Sequence, residues 1–277
     1  MMKVNEQVHL IRKEFYVTQE VKRYINIYLI IGKDCYLVDS GVAGSESLIA
    51  EYLESIGRKL TDIKGVFLTH AHPDHAGAAA EIKKLAGCKI YAPHQEISWI
   101  EDIKKQFAER PIPNFFKLLS ESVKVDQPLY DGDTIQLEDG ITIKALSTPG
   151  HSHGSMSYAL NEEIIFTGDA IPMENDLPIF VDFEERIQSL ERIGNLSEIK
   201  KCCPAWDEVY EKEKLNQVLK NSREMLLKLK DAVQQVEIEL AECSQEERYK
   251  EALRRADLLK YYGNPLVKKS LEACKRL

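Results

Sequence analysis

Short apolar runs alternate with amphipathic segments along the first two hundred residues of the chain. Runs rich in β-branched and aromatic residues predict strands at 24–31, 35–39, 64–68, 89–92, 141–146, 156–160 and 164–167. Helical periodicity predicts helices at 45–56 and 76–85, and each is followed by a glycine that can end a helix. Because strands follow one another directly and helices are interspersed among them, the pattern favours a mixed α/β (α+β) fold of two sheets covered by helices.

Residues 97–130 interrupt this rhythm with helix-like pieces around Pro111-Ile112-Pro113. The segment is also aromatic, with Trp99, Phe107, Phe115 and Phe116. Long insertions of this kind often form lids or substrate walls. The alternative is a helical excursion whose aromatic side chains pack into the core, and the sequence leaves both interpretations open.

From about Lys212 the chain is charged, leucine-rich and helical throughout. Apolar residues recur there at three- and four-residue steps and form one stripe, Leu215, Val218, Leu226, Leu229, Val233, Val236 and Leu240. Residues 244–247 have the form of a capping box, and Asn264-Pro265 supplies an N-cap and a first-turn proline. We therefore predict a main domain, 1–210, and a C-terminal helical extension, 211–277. The stripe is expected to pack on the main domain or on a second subunit in a homodimer.

Composition and charge narrow the class of partner. The chain has 277 residues, of which 44% are hydrophobic and 30% charged, as in ordinary globular proteins. A net charge of -8 gives no electrostatic footprint for a nucleic-acid backbone. No apolar run approaches the ~20 residues needed to cross a membrane, and the first residues lack the apolar core of an export signal. We expect a cytoplasmic protein that acts on a small molecule and binds neither nucleic acid nor membrane.

The six cysteines contain no Cys-x-x-Cys pair, so free thiols are expected. Cys202 and Cys203 are adjacent. They are either a vicinal redox pair or two thiols at the end of a buried strand, and the second interpretation is favoured.

A cluster of metal-competent side chains follows the predicted strand at 64–68. Three histidines and a carboxylate fall within six positions, as His70, His72, Asp74 and His75. Neutral imidazoles and carboxylates are ligands of zinc and related divalent metals, whereas a chance His-rich turn is the alternative. Residues two apart in an extended segment project to one side, so His70 and His72 can bind one metal together. Asp74 and His75 point differently and are better placed for a second metal.

Two later turns carry further candidate ligands. Thr148-Pro149-Gly150-His151 follows the strand at 141–146, and Gly168-Asp169 ends the strand at 164–167. Taken alone, a Gly-Asp turn is usually structural, and a histidine in a Pro-Gly turn is usually a surface residue. Their combination with the first cluster makes a chance origin implausible.

Together with Asp39, these motifs resemble the successive motifs of the metallo-β-lactamase superfamily of hydrolases, over about residues 20 to 205. The resemblance implies an αββα four-layer sandwich with the metal ions at one edge. It implies one metal held by His70, His72 and His151, and a second held by Asp74, His75 and a bridging Asp169. It also implies that Asp39 orients a ligand by hydrogen bonding. The helical extension resembles in kind that of glyoxalase-II-like thioesterases.

One motif departs from the family pattern. The family normally supplies a further histidine at the end of a later strand, where this chain has Trp206. The neighbouring Asp207 is predicted to replace that ligand, since a carboxylate binds zinc, manganese or iron. The alternatives are a water molecule in that position or a single-metal enzyme.

These residues predict a metallo-hydrolase of a carbonyl substrate, namely a thioester, an ester or a lactone. The nucleophile would be a metal-bound hydroxide formed near neutral pH, with one or two Zn²⁺ ions and with Fe or Mn as alternatives. Asp74 would orient the hydroxide and manage its proton. His153 would donate a hydrogen bond to the substrate or leaving group, or is a solvated turn residue.

Two other functional classes stay open from the sequence. An iron-dependent oxygen- or sulfur-oxidising enzyme would use the same imidazole-rich pocket with a redox metal. A degenerate metal-binding protein without turnover is the second, because Trp206 replaces an expected ligand. Absence of an export signal disfavours a β-lactamase, and the acidic charge disfavours a nuclease.

Overall fold

Two β-sheets form the centre of the structure, a computed structural model that describes residues 2–173 and 176–275. The first sheet has its strands in chain order: β1 (Met2–Lys3), β2 (Val8–Tyr16), β3 (Lys22–Ile31), β4 (Cys35–Val38), β5 (Ile63–Phe67), β6 (Lys89–Pro93) and β7 (Gln127–Leu129). Its strands pair antiparallel from β1 to β4 and parallel from β4 to β7.

The second sheet is built from the later strands, β8 (Thr134–Glu138), β9 (Ile141–Ser147), β10 (Met156–Leu160), β11 (Ile164–Gly168), β12 (Lys201–Pro204) and β13 (Tyr210–Glu211). Their spatial order is β13-β12-β11-β10-β9-β8. The pairing is antiparallel except between β11 and β12, which run parallel. The chain enters β12 only after crossing over through a helix.

The helices lie on the outer faces of the sheets. They are α1 (Ser45–Ser55), α2 (Pro73–Ala76), α3 (Ala79–Ala86), α4 (Ile97–Ile100), α5 (Ile103–Glu109), α6 (Phe115–Leu118), α7 (Phe183–Gly194), α8 (Lys212–Glu239), α9 (Gln245–Arg255) and α10 (Pro265–Ala273). The helix predicted at 76–85 is interrupted at Gly77, which corrects the sequence-based prediction. A Cβ at Gly77 would collide with the carbonyl oxygens of Pro73 and Leu118, so only glycine fits this junction.

The alternation of side chains along each strand produces the layers. In β4, Tyr36 and Val38 face the apolar core between the two sheets, while Leu37 packs against the helices outside the first sheet. The inter-sheet core also contains Phe67 and Phe166, one from each sheet. The protein is therefore an αββα four-layer sandwich, which confirms the predicted fold class.

The C-terminal helices pack on the outer face of the second sheet. Leu226 and Val233 of α8 are buried in one apolar cluster with Ile165 of β11 and Ile187 of α7. The predicted stripe is therefore covered by the main domain. Ser244 caps α9 in a capping box with Glu247, and Asn264 caps α10 with proline at its first turn, as predicted. The predicted homodimer and the domain boundary near residue 210 stay predictions.

Within residues 2–173 and 176–275, no helix combines the length and the apolar character that crossing a bilayer requires. The cytoplasmic location stays a prediction.

The cysteine pair lies on β12, where consecutive residues face opposite sides of the sheet. Cys202 packs with the helices outside the second sheet and Cys203 packs in the inter-sheet core. All six cysteines are free thiols, as expected. Burial raises the pKa of Cys202 to about 12 and also raises that of Cys203. The pair is therefore structural in its setting, as two thiols of a buried strand.

We predict that a thiol-specific reagent modifies one cysteine per folded chain at pH 8 and six per chain in denaturant. The thiolate is the reactive form, and five of the cysteines are buried with Cys243 alone partly exposed. Burial raises the pKa of Cys35 and Cys88 to about 11 and that of Cys274 to about 12. A Cys243→Ser variant is the control and should show no fast reaction when folded. Fast native modification of Cys202 would contradict this account.

Candidate metal centre

The predicted ligands come together where loops from both sheets meet. The loop after β5 carries His70, His72, Asp74 and His75, the loop between β9 and β10 carries His151, and Asp169 directly follows β11. The two sheets are joined here through the backbone, since the N–H of Met156 donates to the carbonyl of Thr69 at 2.9 Å. Side chains that are far apart in the sequence therefore share one edge of the sandwich.

Three buried imidazoles converge on one point. The Nδ1 atom of His72 lies 2.9 Å from Nε2 of His70 and 2.9 Å from Nε2 of His151. The other ring nitrogen of His151 lies 3.1 Å from the carbonyl of Ile179, to which it donates when the ring is neutral. That tautomer leaves the Nε2 lone pair of His151 directed at the other two rings. The three nitrogens are arranged as the ligands of one metal ion.

Burial keeps these three rings in the form that binds metals. It lowers the pKa of His70 and His72 well below the usual value and lowers that of His151 to about 3, the last against the opposing effect of Asp169. The charge of Arg110 adds to the effect on all three rings. A neutral imidazole has a free lone pair, so no proton has to leave before a metal binds.

A second group, His70, His75 and Asp169, lies beside the first and shares His70 with it. Oδ1 of Asp169 lies 3.1 Å from Nε2 of His75, and its Oδ2 lies 3.1 Å from Nε2 of His151. Oδ2 of Asp74 is 3.7 Å from Nε2 of His75. Asp74 belongs to neither group among the described residues, so its role as a ligand stays a prediction. Asp169 therefore spans the two groups, in the place where the resemblance puts a bridging carboxylate.

Nε2 of His75 is the atom that most clearly requires a ligand. Its Nδ1 donates to Oδ2 of Asp39 at 2.7 Å, which fixes the ring. Nε2 is buried and makes no hydrogen bond within the described part of the chain, although Oδ1 of Asp169 lies 3.1 Å away. An unsatisfied buried nitrogen is costly, and a metal ion would satisfy it. The residues present therefore fit a divalent metal ion.

The electrostatics of the second group agree with this fit. Burial lowers the pKa of His75, but Asp169, Asp39 and Asp74 outweigh burial and raise it well above the usual value. Burial and the neighbouring Asp169 raise the pKa of Asp74, against the effect of His75. Three carboxylates around one imidazole form a site with surplus negative charge, which favours a cation.

Asp39 and Gly168 show how the backbone is shaped to build the site. Asp39 has a left-handed conformation (φ 61°), and its Oδ1 accepts a hydrogen bond from the N–H of Thr69 at 2.8 Å. Gly168 also has positive φ (48°), and a Cβ there would lie 2.6 Å from Oγ1 of Thr69. Glycine is therefore required before Asp169, which explains the Gly-Asp motif. Asp39 hydrogen-bonds to His75, and its role as the residue that orients a metal ligand stays a prediction.

Two further side chains that sequence reasoning missed hold the ligand loops together. The buried Glu96 accepts from the N–H of Ala71 at 3.1 Å, from the hydroxyl of Ser152 at 2.7 Å and from the N–H of Gly154 at 2.8 Å. Gln106 donates to the carbonyl of Ala71 at 2.7 Å. Glu96 thus ties the loop of His70 and His72 to that of His151. No local pattern marks it, because its partners are distant in the sequence.

The structure contradicts the predicted ligand role of Asp207. Its Oδ2 accepts from the hydroxyl of Tyr210 at 2.6 Å and its Oδ1 accepts from the N–H of Glu208 at 2.8 Å. Asp207 belongs to neither ligand group found in the described residues. The indole of Trp206 instead donates to Oδ1 of Asp169 at 2.8 Å. Trp206 therefore contacts the second group at the place of the missing histidine.

A cavity of about 320 Å³ opens onto both ligand groups. It reaches His72, Asp74, His151 and Asp169, and most of its remaining wall is apolar: Phe15, Val17, Val21, Ile112, Leu118, Ile171, Met173, Leu177, Ile179 and Leu266. The insertion at 97–130 supplies residues 110–113 and Leu118, so it forms part of the cavity wall, as the first interpretation of this segment expects. Its Phe115 is nevertheless buried in a small core, so each of the two interpretations describes part of the segment.

A second cavity, of about 340 Å³, also reaches His72 and His151. The exposed His153 lines it beside Glu96. His153 belongs to neither ligand group among the described residues, and its role stays a prediction.

Comparison with known proteins agrees with this geometry. The model of the family described as the metallo-β-lactamase superfamily matches residues 21–200. The chain belongs to the metallo-β-lactamase superfamily. It is a metallo-hydrolase of that superfamily, whose fold is typical of divalent-metal binding.

Curated relatives within the superfamily include two kinds of hydrolase. A probable metallo-hydrolase of Methanocaldococcus jannaschii is 32% identical over 190 residues, which cover 66% of this chain and 88% of the relative. A hydroxyacylglutathione hydrolase of a Bradyrhizobium species is 32% identical over 135 residues, which cover 48% of this chain and 42% of that enzyme. This chain thus matches less than half the length of the second relative.

Solved structures of the superfamily share the fold. A metallo-β-lactamase family protein of Thermus thermophilus superposes with a TM-score of 0.73 at 19% identity, covering 98% of this chain and 93% of that chain. A class B3 di-zinc metallo-β-lactamase from an Alaskan soil metagenome superposes with a TM-score of 0.59 at 26% identity, covering 74% of this chain and 88% of that chain. The match to the Thermus thermophilus protein includes the C-terminal helices, because it covers 98% of this chain.

Proposed function

We propose that this protein hydrolyses a carbonyl compound, namely a thioester, an ester or a lactone, at the centre formed by His70, His72, His151, His75, Asp74 and Asp169. The observation that supports the proposal is that four of these residues, His72, Asp74, His151 and Asp169, line a cavity whose other walls are largely apolar. Such a cavity suits the organic part of a carbonyl substrate, with the polar groups gathered where a bond would break. The similarity to hydroxyacylglutathione hydrolases favours a thioester.

Zinc is the metal ion we propose, with His70, His72 and His151 as ligands of a first ion. A divalent ion bound there would supply Lewis acidity for the carbonyl oxygen and a nucleophilic water of lowered pKa. His75, Asp74 and Asp169 would hold a second ion more weakly, because Trp206 provides an indole N–H where the family supplies a ligand. Manganese and iron are alternative metals for the same donor atoms.

The protein's own residues have separable roles in this proposal. Asp74 has a side chain that is 20% exposed, lines the cavity and can accept a proton from the attacking water at Oδ2. Asp39 and Ile179 hold the rings of His75 and His151 in the tautomers that direct Nε2 inward. The apolar wall excludes bulk water from the reacting carbonyl.

We predict that the zinc-loaded protein hydrolyses at least one member of a panel of thioesters, esters and lactones. A chelator should abolish the reaction, and added zinc should restore it. An Asp74→Asn variant should keep the ion in the three-histidine group and lose about 10²–10⁴-fold in kcat, because the carboxylate that accepts the proton is gone.

The same preparation tests the two rival functions. If the protein purified without added metal contains stoichiometric iron and consumes oxygen, the result would support an oxidising enzyme and count against the proposed hydrolase. Silence across the panel with zinc, manganese and iron would favour a metal-binding protein without turnover.

A further inference from the structure

A buried arginine beside the metal centre has no role in the fold described above. Arg186 lies on α7 and is only 2% exposed, which makes it the largest fully buried side chain. Its Nε and Nη1 atoms make no hydrogen bond to any residue in the ranges 2–173 and 176–275. Two other arginines of the structure, Arg23 and Arg192, have carboxylate partners. Arg23 binds both carboxylate oxygens of Asp176, and Arg192 on the same helix binds Asp131 at 2.7 Å.

Burying a charged group without partners is unfavourable, so the fold alone gives no reason for Arg186. Removing a guanidinium from water costs several hydrogen bonds and the solvation of its charge. Burial lowers the pKa of Arg186 to about 10, with Asp169 opposing the shift, so the group is still charged at neutral pH. Asp169 is not available as its partner, because the oxygens of Asp169 face His75 and His151.

Arg186 lies where a substrate would be. It lines the same cavity as His151 and Asp169, together with Arg110 from the end of α5. Arg110 is 9% exposed, and burial lowers its pKa against the effect of the carboxylates of Asp74, Asp169 and Glu96. Two desolvated guanidinium groups thus stand at the polar end of a cavity whose other walls are mostly apolar.

We propose that Arg186, with Arg110, binds a carboxylate of the substrate, so that the substrate class is an apolar acyl compound bearing one anionic end. The planar fork of a guanidinium matches the two oxygens of a carboxylate, and the low polarity of the surroundings strengthens the pair. A phosphate monoester also presents anionic oxygens to a guanidinium, and the binding experiment below distinguishes it from a carboxylate. The inference rests on the proposed function, because it assigns the anion to the molecule that is hydrolysed.

The test measures binding to the zinc-loaded, full-length protein by calorimetry. The ligands are hexanoate, hexyl phosphate and 1-hexanol, which share an apolar tail and differ in the head group. We expect hexanoate to bind about 10- to 100-fold more tightly than hexanol, the range for hydrogen bonds to charged groups. Arg186→Met should remove most of that preference and leave hexanol binding unchanged. The matched control is Arg192→Met, which removes the same charge from the same helix and should keep the preference.

Several results would overturn the proposal. If Arg186→Met keeps the hexanoate preference, the carboxylate is bound by the metal ion and not by Arg186. If hexyl phosphate binds more tightly than hexanoate and depends equally on Arg186, the site is for phosphate. If Arg186→Met weakens hexanoate and hexanol binding together, the arginine only maintains the cavity.

Thermal unfolding distinguishes a binding role of Arg186 from a structural role. Because Arg186→Met removes an unpaired buried charge, we expect its melting temperature to rise, on the order of a few degrees. A lower melting temperature with lost zinc would show a structural role and would count against the proposal. Should that variant not fold, Arg110→Met is expected to reduce the hexanoate preference in the same direction, and an unchanged preference there would overturn the proposal.

The inference and the proposed function can fail separately. If hexanoate binds more tightly than hexanol in a way that depends on Arg186, but no substrate is hydrolysed, only the proposed function is contradicted. Turnover without such a preference would remove this inference alone.

Discussion

Replacing His72 by alanine is expected to remove metal binding by the three-histidine group and to abolish hydrolysis. Nδ1 of His72 lies 2.9 Å from the facing nitrogens of both His70 and His151, so it is the atom that the other two share. Without His72 the first ion would keep two imidazoles and the carboxylate of Asp169, which is one nitrogen ligand fewer, so we expect it to bind much more weakly. Mutation of a residue that only hydrogen-bonds to a metal ligand typically lowers metal affinity or activity about 10–100-fold. We therefore expect the loss of a ligand itself to lower kcat/KM by well over about 100-fold.

Elemental analysis after dialysis and steady-state kinetics measure this result directly. His94→Ala is the control, because His94 is exposed, stacks on Tyr130 and belongs to neither ligand group among the described residues. The control should keep its metal content and its activity. A His72→Ala protein with an unchanged zinc content would show that the three imidazoles are not a metal site.

The candidate ligands could be identified from the sequence because their chemistry is local. His70, His72, Asp74 and His75 occur within one turn, and their identity alone restricts what they bind. The glycine and proline residues around His151 and Asp169 mark turns at strand ends. The resemblance to a family then groups these motifs, and the structure places them at one edge of the two sheets.

Glu96 and Arg186 could not be predicted, because their roles depend on contacts between distant segments. Glu96 resembles any solvated glutamate until the loop of Ser152 folds onto it. Arg186 resembles the polar face of a helix, and its burial follows from the close approach of α7 to Gly150, where a Cβ would lie 2.5 Å from the Arg186 backbone. Residue identity gives no signal for burial of this kind.

The differences between the predicted and the observed strands and helices have a similar cause. Strand β2 was not predicted, since Arg12, Lys13 and Glu14 interrupt its apolar pattern, although its first four residues are buried. The helix predicted at 76–85 is divided because Gly77 contacts Leu118, which lies in the insertion. Pairing and packing between segments override the local pattern in both cases.

The error at Asp207 arose from treating adjacent residues as interchangeable. A carboxylate beside the missing histidine has suitable chemistry, but neighbouring side chains point in different directions. Trp206 points toward Asp169, and Asp207 points toward Tyr210. Position 206, and not position 207, therefore faces the second group.

Replacing Trp206 by histidine is expected to create a tight second metal site. The indole nitrogen lies 2.8 Å from Oδ1 of Asp169, so an imidazole in its place would reach the group of His75, Asp74 and Asp169. The second ion would gain a neutral nitrogen ligand, and we expect its affinity to rise by at least about tenfold, the change that 1.4 kcal/mol produces. Zinc titration by calorimetry, with metal content after dialysis, should show one tightly bound ion in the natural protein and two in Trp206→His.

Trp206→Phe is the matched control for this substitution. Like Trp206→His, it removes the indole N–H and some packing against Phe15 and Arg23. The guanidinium of Arg23 lies 4.6 Å above the indole ring. Unlike histidine, phenylalanine adds no metal ligand. We expect it to bind one zinc ion tightly and to lose a similar amount of stability. If both variants bind zinc alike, position 206 does not face the second ion, and the weakness of that site has another cause. If Trp206→His alone gains the ion, a single substitution accounts for the departure of this chain from the family's two-metal pattern.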